Sequence, residues 1–257
     1  MCLIAFSYKQ HPRYDLVFAA NRDEFYGRPT RGAQFWEEHN QLLAGKDLEA
    51  GGTWMGITRH GKFSALTNYR DPDNRRNDAP SRGHLVLDFL VSDDAPDSYL
   101  EDIDDNSDSY NGFNLLLGSP EQLYYYSNRS EGYRVLEPGT YGLSNHLLNT
   151  SWPKTERAKQ RLSDIVGYEK IDTSALFDLL QDDQPAPDPE LPDTGIPKEL
   201  ERAVSPIFIK TEKYGTRCST VLLVDKNGRV TFEERRYKDG RMEVDERNRY
   251  EFELTGR

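Results

Sequence analysis

CLIAFSY at residues 2–8 and YDLVFAAN at residues 14–21 are two short runs that are apolar at nearly every position. A strand with one wet face alternates apolar and polar side chains, so runs without alternation need cover on both faces. The segment between them, KQHPR (9–13), is polar and carries Pro12, and the pair reads as an antiparallel hairpin. Such a hairpin brings the end of its second strand beside the start of its first. Asn21-Arg22-Asp23-Glu24 then lies next to Cys2.

Outward from this hairpin, GGTWMGITR (51–59) and KFSALTN (62–68) form a second one, turned at His60-Gly61. NRDEFYGRPT (21–30) and GKDLEAGG (45–52) are polar and glycine-bearing, and read as loops at one end of the sheet. SRGHLVLDFLV (81–91) has helical apolar spacing with Ser81 as a possible cap, and DDAPDSYLEDIDDNSDS (93–109) reads as acidic surface. FNLLLGS (113–119), QLYYYSN (122–128) and YRVLEPGTYGLSN (133–145) read as a strand meander. Helices follow over 151–166, with Trp152, Ala158, Leu162 and Ile165 on one side, and over 172–183, capped by Asp172 or Thr173. QPAPDPELPDTGIP (184–197) is an extended proline-rich loop, and TRCSTVLLVD, NGRVTFEERRY and MEVDERNRYEFEL are terminal strands. Strands with grouped helices give an α+β class, and two stacked antiparallel sheets would cover the doubly apolar first strands. No linker-like break divides residues 1–257, which read as a single domain.

A net charge of −11 opposes binding to nucleic acid or to an anionic membrane surface, since both carry the same sign. No stretch approaches the roughly 20 apolar residues of a transmembrane helix, and no secretory leader opens the sequence. The chain is expected to be soluble and cytoplasmic. Cys2 and Cys218 then read as thiols, and with five scattered histidines they show no zinc-ligand spacing, so no metal site is expected. Oligomeric state is not legible.

Cys2 follows the initiator Met1, and a small second residue suits methionine removal. Its thiol would then share a residue with a free α-amine. With ordinary values of about 8.5 and about 7.7, the amine can take the thiol proton near neutral pH. Asp23 could orient that amine and Arg22 could favour thiolate. The plain alternative is a small buried cysteine beginning a strand, with Arg22 and the acids forming a polar turn.

Met1-Cys2, NRDEFYGRPT, GKDLEAGGTWMGI, ALTNYR, YGLSN and YGTRCSTVLLVD, found in this order, resemble the NRDE-motif family, also called the transport and Golgi organisation protein 2 family. The resemblance covers nearly the whole chain. It implies a four-layer αββα sandwich of two antiparallel sheets, similar to N-terminal nucleophile (Ntn) hydrolases of the choloylglycine hydrolase and acyl-CoA:6-aminopenicillanate acyltransferase type. In the choloylglycine pattern G-R-N-x-D, Asn21 and Asp23 match the Asn and Asp, whereas Ala20 fills the Arg position and the Arg appears at Arg22. Ala20 and Arg22 share a strand face, so one can replace the other.

By the same resemblance Asn68 and Asn145 are candidate oxyanion donors. Arg217 resembles a late active-site Arg that touches the thiol or a substrate carboxylate. Each also reads plainly, the asparagines as strand-end turn formers and Arg217 as a rim ion pair. Trp54 could wall an acyl or planar ligand, and Lys46 and Arg70 could meet its phosphate or carboxylate, beside the alternative of a core Trp in a β-turn. Glu24 completes the motif. Tyr124 to Tyr126 read as strand faces and Arg235-Arg236 as solvated charge.

Two functions follow. One is an Ntn-type amidohydrolase or acyltransferase in which Cys2 attacks a linear amide or an acyl-CoA thioester, with no cofactor. The other is a carrier for haem or acyl-CoA and lipid in the same cleft, implied by the family's association with haem export and lipid homeostasis. Haem would find Cys2, His146 or another lone histidine as ligands.

Overall fold

The computed structural model describes residues 2–255. One antiparallel sheet runs in the order β10 (Gly139–Leu143), β1 (Cys2–Tyr8), β2 (Tyr14–Phe25), β11 (Tyr214–Asp225), β12 (Arg229–Tyr237), β13 (Val244–Glu253). The other runs in chain order through β3 (Thr30–Phe35), β4 (Leu42–Asp47), β5 (Met55–Thr58), β6 (Phe63–Asn68), β7 (Phe113–Ser119), β8 (Gln122–Ser127) and β9 (Tyr133–Val135). Helices α1 (Gly83–Val91) and α2 (Pro96–Asn106) cover the second sheet, while α3 (Pro153–Val166) and α4 (Thr173–Leu180) cover the first. A short α5 (Lys198–Ala203) follows the proline-rich segment.

The central strands are buried on both faces, as their sequences require. From β1 and β2, Cys2, Ile4, Phe6, Phe18 and Ala20 enter the core between the sheets, whereas Leu3, Ala5, Val17 and Ala19 meet α3 and α4. The result is helix, sheet, sheet, helix. Phe18 packs edge-on against Phe63 of the other sheet at 5.2 Å between ring centres, joining the two inner faces.

Several local readings are corrected. Asn21 to Phe25 continue β2 rather than forming a loop, because Thr216, Gly215 and Tyr214 of β11 pair with them. Thr30–Phe35 and Leu42–Asp47 are strands paired with each other. Their few apolar residues and a bulge between Arg31 and Gln34 hide the period-2 pattern. Residues 96–106 are helix, with only Leu100 and Ile103 buried. The expected meander divides between sheets, β9 pairing with β8 and β10 with β1, around Pro138 and Gly139. Gly52 and Gly83 bring the loop after β4 against the start of α1, where a Cβ on Gly52 would stand 2.6 Å from the Gly83 carbonyl carbon.

Replacing Phe18 with Ala removes the ring that joins the sheets and is expected to cost about 3–5 kcal/mol. Urea unfolding of parent and variant measures it.

Candidate functional site

The hairpin register sets the site. Cys2 pairs with Arg22 across β1 and β2, and Arg22 pairs with Cys218 across β2 and β11, so the three lie in a row on the inner face. At this end the sheets part around a cleft of about 480 Å³. Cys2, Arg22, Asp23, Glu24, Lys46 and Trp54 line it, together with Asn68 and Arg217. Arg22 therefore reaches the thiol's face, the one on which Ala20 lies deeper in the core.

Arg22 is nearly buried, with Nη2 3.4 Å from Asp47 Oδ2 and its Nη1 without a hydrogen-bond partner among the described residues. Asp47 also receives Arg28 Nε at 2.6 Å. Burial pushes the Cys2 thiol up, the Asp23 carboxylate adds to this, and Arg22 opposes it. Asp23 is buried and accepts from Thr216 Oγ1 at 2.7 Å. Burial pushes its carboxyl up to about 6 against the opposing effects of Lys154, Thr216 and Arg22.

Asn68 ends β6 and lines the cleft. Asn145 is fully buried just outside the cleft lining; its Nδ2 donates to Asn68 O at 2.9 Å, and Ser144 Oγ beside it donates to Cys2 O at 3.1 Å. Asn145 thus acts on the backbone of the site. Asn21 faces the helices, donating to Leu180 O and Ile207 O at 2.8 and 2.9 Å and accepting from Ser219 Oγ. Arg70 also lies outside the cleft, its Nη1 2.6 Å from Glu201 Oε2 beside the Trp152 ring. Arg217 Nη1 donates to Phe25 O and Arg28 O at the cleft mouth, where no acid pairs with it among the described residues. Lys46 pairs with Glu38 and lies 4.2 Å over the Trp36 ring.

Further lining residues have no motif to announce them. Arg31, Arg75, Arg76 and Arg82 add positive charge, and Arg236, read above as solvated, lines the cleft while pairing with Glu246. Arg82 and Arg76 donate to the backbone carbonyls of Gly112 and Ser109 rather than to acids. Burial lowers Arg82 to about 10. Cys218 and Glu234 occupy the floor, both pushed up by burial. Among the described residues no cluster of His, Cys, Asp and Glu could hold a metal ion, and no helix is long and apolar enough to cross a membrane.

A family profile described as "Transport and Golgi organisation 2" matches residues 1–239. The chain belongs to that family. It is 41 % identical to the mouse Transport and Golgi organization 2 homolog, covering 99 % of both chains, and 39 % identical to the human homolog, again covering 99 % of both. Among solved structures, a mutant conjugated bile acid hydrolase from Clostridium perfringens matches with a TM-score of 0.52 at 9 % identity, over 97 % of this chain and 92 % of that one. A second variant of that hydrolase matches with a TM-score of 0.51 at 10 % identity, over 99 % and 98 %. At such identity the likeness establishes the Ntn-hydrolase type of α+β sandwich and nothing about chemistry.

Two predictions concern the buried motif residues. Asn21→Ala leaves two buried carbonyls and Ser219 without their partner, and should destabilise the fold by about 1–3 kcal/mol in urea. For Asp23 the folded value lies above the unfolded one, which is about 4. Its contribution to stability is full below about pH 4 and is lost as pH rises through about 6. Asp23→Asn should remove that part of the decline, seen as a flatter urea midpoint between pH 4 and 7.

Proposed function

We propose that this member of the transport and Golgi organisation 2 family is an Ntn-type cysteine acyltransferase or amidohydrolase, with Cys2 as nucleophile once Met1 is removed. The observation that carries the reading is that Cys2, Arg22, Asp23 and Asn68 line one cleft, with Cys2 opposite Arg22 across the hairpin. The thiol proton passes to the Cys2 α-amine as sulfur forms a bond to the acyl carbon. The Asn68 carboxamide donates to the developing oxyanion. The carbon–nitrogen or carbon–sulfur bond then breaks, and the leaving group takes the proton from the amine. Water or an acceptor amine next attacks the thioester, gives its proton to the α-amine, and the Cys2 sulfur departs to regain a proton as thiol.

Between the two donors, the lining favours the anionic one. Arg31, Arg75, Arg76, Arg82 and Arg217 make no ion pair among the described residues, although the chain as a whole carries −11. A CoA thioester supplies the phosphates these guanidiniums lack, whereas a neutral linear amide does not. The same walls also suit a carrier that holds an acyl-CoA or another anionic lipid without turning it over. For haem the cleft lining offers the thiols of Cys2 and Cys218 and, among the described residues, no histidine. His146 packs between Tyr69 and Trp152 and bonds Thr150.

Intact-mass measurement of untagged protein after exposure to acyl-CoA and amide donors tests the reading. The expected result is loss of one methionine and a donor-dependent acyl adduct, absent from Cys2→Ala. Asn68→Ala should slow the appearance of the adduct by about 10²–10³-fold. Binding of acyl-CoA with retained methionine and no adduct would replace the enzyme by the carrier.

A further inference from the structure

One wall of the cleft belongs to neither sheet. Residues 71–82 link β6 to α1 without helix or strand, and none of residues 71–80 is buried. Such a segment has little apolar packing to oppose its opening. Yet Arg75, Arg76, Asn77 and residues 79–83 line the cleft that also holds Cys2 and Cys218, whose residues are only 7 % and 6 % exposed. The wall and the two thiols share one cavity.

The attachments of this wall are polar, and most lead to the same turn before β7. At its start Arg129 Nε meets Asp71 Oδ2 at 3.1 Å, and at its end Arg82 Nη1 donates to Gly112 O at 2.8 Å. Between them Asn111 grips the main chain of Arg76 with both ends of its carboxamide. Its Oδ1 accepts the Arg76 N–H at 2.8 Å, and its Nδ2 donates to Arg76 O at 2.8 Å. The Arg76 guanidinium donates to Ser109 O beside it. Both Asn111 bonds are exposed, so water competes for each partner and the grip can be released at small cost.

The segment is also sorted by charge. Arg75, Arg76 and Arg82 line the cleft, whereas Asp71, Asp73 and Asp78 do not. A passage lined by one sign of charge concentrates the opposite sign, so anions meet this wall more favourably than neutral molecules do.

We infer that residues 71–82 are a gate to the cleft thiols, latched by Asn111 and selective for small molecules that carry a carboxylate or phosphate. The gate rests on the geometry of the cleft wall. It operates in the same way whether Cys2 acts as a nucleophile or the cleft only carries a ligand, so a failure of the enzyme reading leaves it standing.

Alkylation of the full chain, with Cys2 and Cys218 resolved by peptide mass, reads access to the thiols. The neutral reagent iodoacetamide tests the latch. Asn111→Ala loses both bonds to Arg76 and should speed labelling of the cleft thiols by about 5-fold or more, with the urea midpoint close to the parent's. Trypsin cleavage after Arg75 and Arg76 should rise with it. If the Ala variant does not fold, Asn111→Asp serves instead, because it keeps the acceptor for the Arg76 N–H but sets an oxygen against Arg76 O. Labelling that stays at the parent's rate in the folded variant overturns the gate, even where trypsin cleavage rises.

The anionic reagent iodoacetate tests selectivity. The ratio of iodoacetate to iodoacetamide labelling at Cys2 should fall by about 2-fold or more in Arg75→Gln, and should hold in Arg229→Gln, whose side chain lies outside the cleft lining. A ratio that Arg75→Gln leaves unchanged overturns the selectivity for anions.

Discussion

The pairing of β1 with β2 is the constraint on which the rest depends. It sets Cys2 opposite Arg22, and β11 then sets Cys218 on Arg22's other side. Because side chains alternate along a strand, a slip of one residue would send Cys2 to the helix-covered face and Leu3 to the cleft. Both faces of β1 are fully buried, so such a slip would also misplace Phe6 and Tyr8. Ser144 Oγ adds a direct tie to the Cys2 carbonyl from the neighbouring strand end. The place of Cys2 is thus held by the packing of the core between the sheets.

The charge of the cleft follows from where its arginines find hydrogen bonds. Some Arg side chains meet acids, as Arg229 and Arg249 meet Glu251 and, in the cleft, Arg28 meets Asp47. At the cleft, Arg76, Arg82 and Arg217 donate to backbone carbonyls. A carbonyl orients a guanidinium without cancelling its charge. The fold therefore presents uncompensated positive charge to the cleft of an acidic protein, and low-dielectric walls concentrate it.

That the first strands are covered on both faces was legible from the absence of alternation in residues 2–8 and 14–21, whereas the four-layer order was implied by the family resemblance. The same logic failed at Thr30–Phe35, where a bulge breaks the period and apolar residues are scarce. Cys2, Arg22 and Asp23 could be grouped from sequence since a hairpin fixes them locally. Arg75, Arg76, Arg82 and Arg236 could not, because long-range packing that no local pattern announces brings them to the cleft. Arg70 misled for the converse reason: two positions beyond Asn68, it turns to Glu201 rather than to the cleft.

The outer helical layer does more than cover the first sheet. Arg70 joins the end of β6 to α5 through Glu201, and its backbone N–H donates to Asn145 O at 2.8 Å. Asn145 in turn donates to Asn68 O, so both ends of its side-chain and main-chain polar set fix the strand end that presents Asn68. Asn21 ties the first sheet to the carbonyls of Leu180 and Ile207. These bonds are buried or partly buried, where an unmade partner is costly, so the strand ends bearing Cys2 and Asn68 have little freedom to drift apart. In the proposed reaction, an Asn68 donor would work through such fixed placement, since little reorganisation remains to be done when charge appears. Asn21, Arg70 and Asn145 therefore belong with the site although they do not line it: their amides and guanidinium hold the backbone from which Cys2 and Asn68 project.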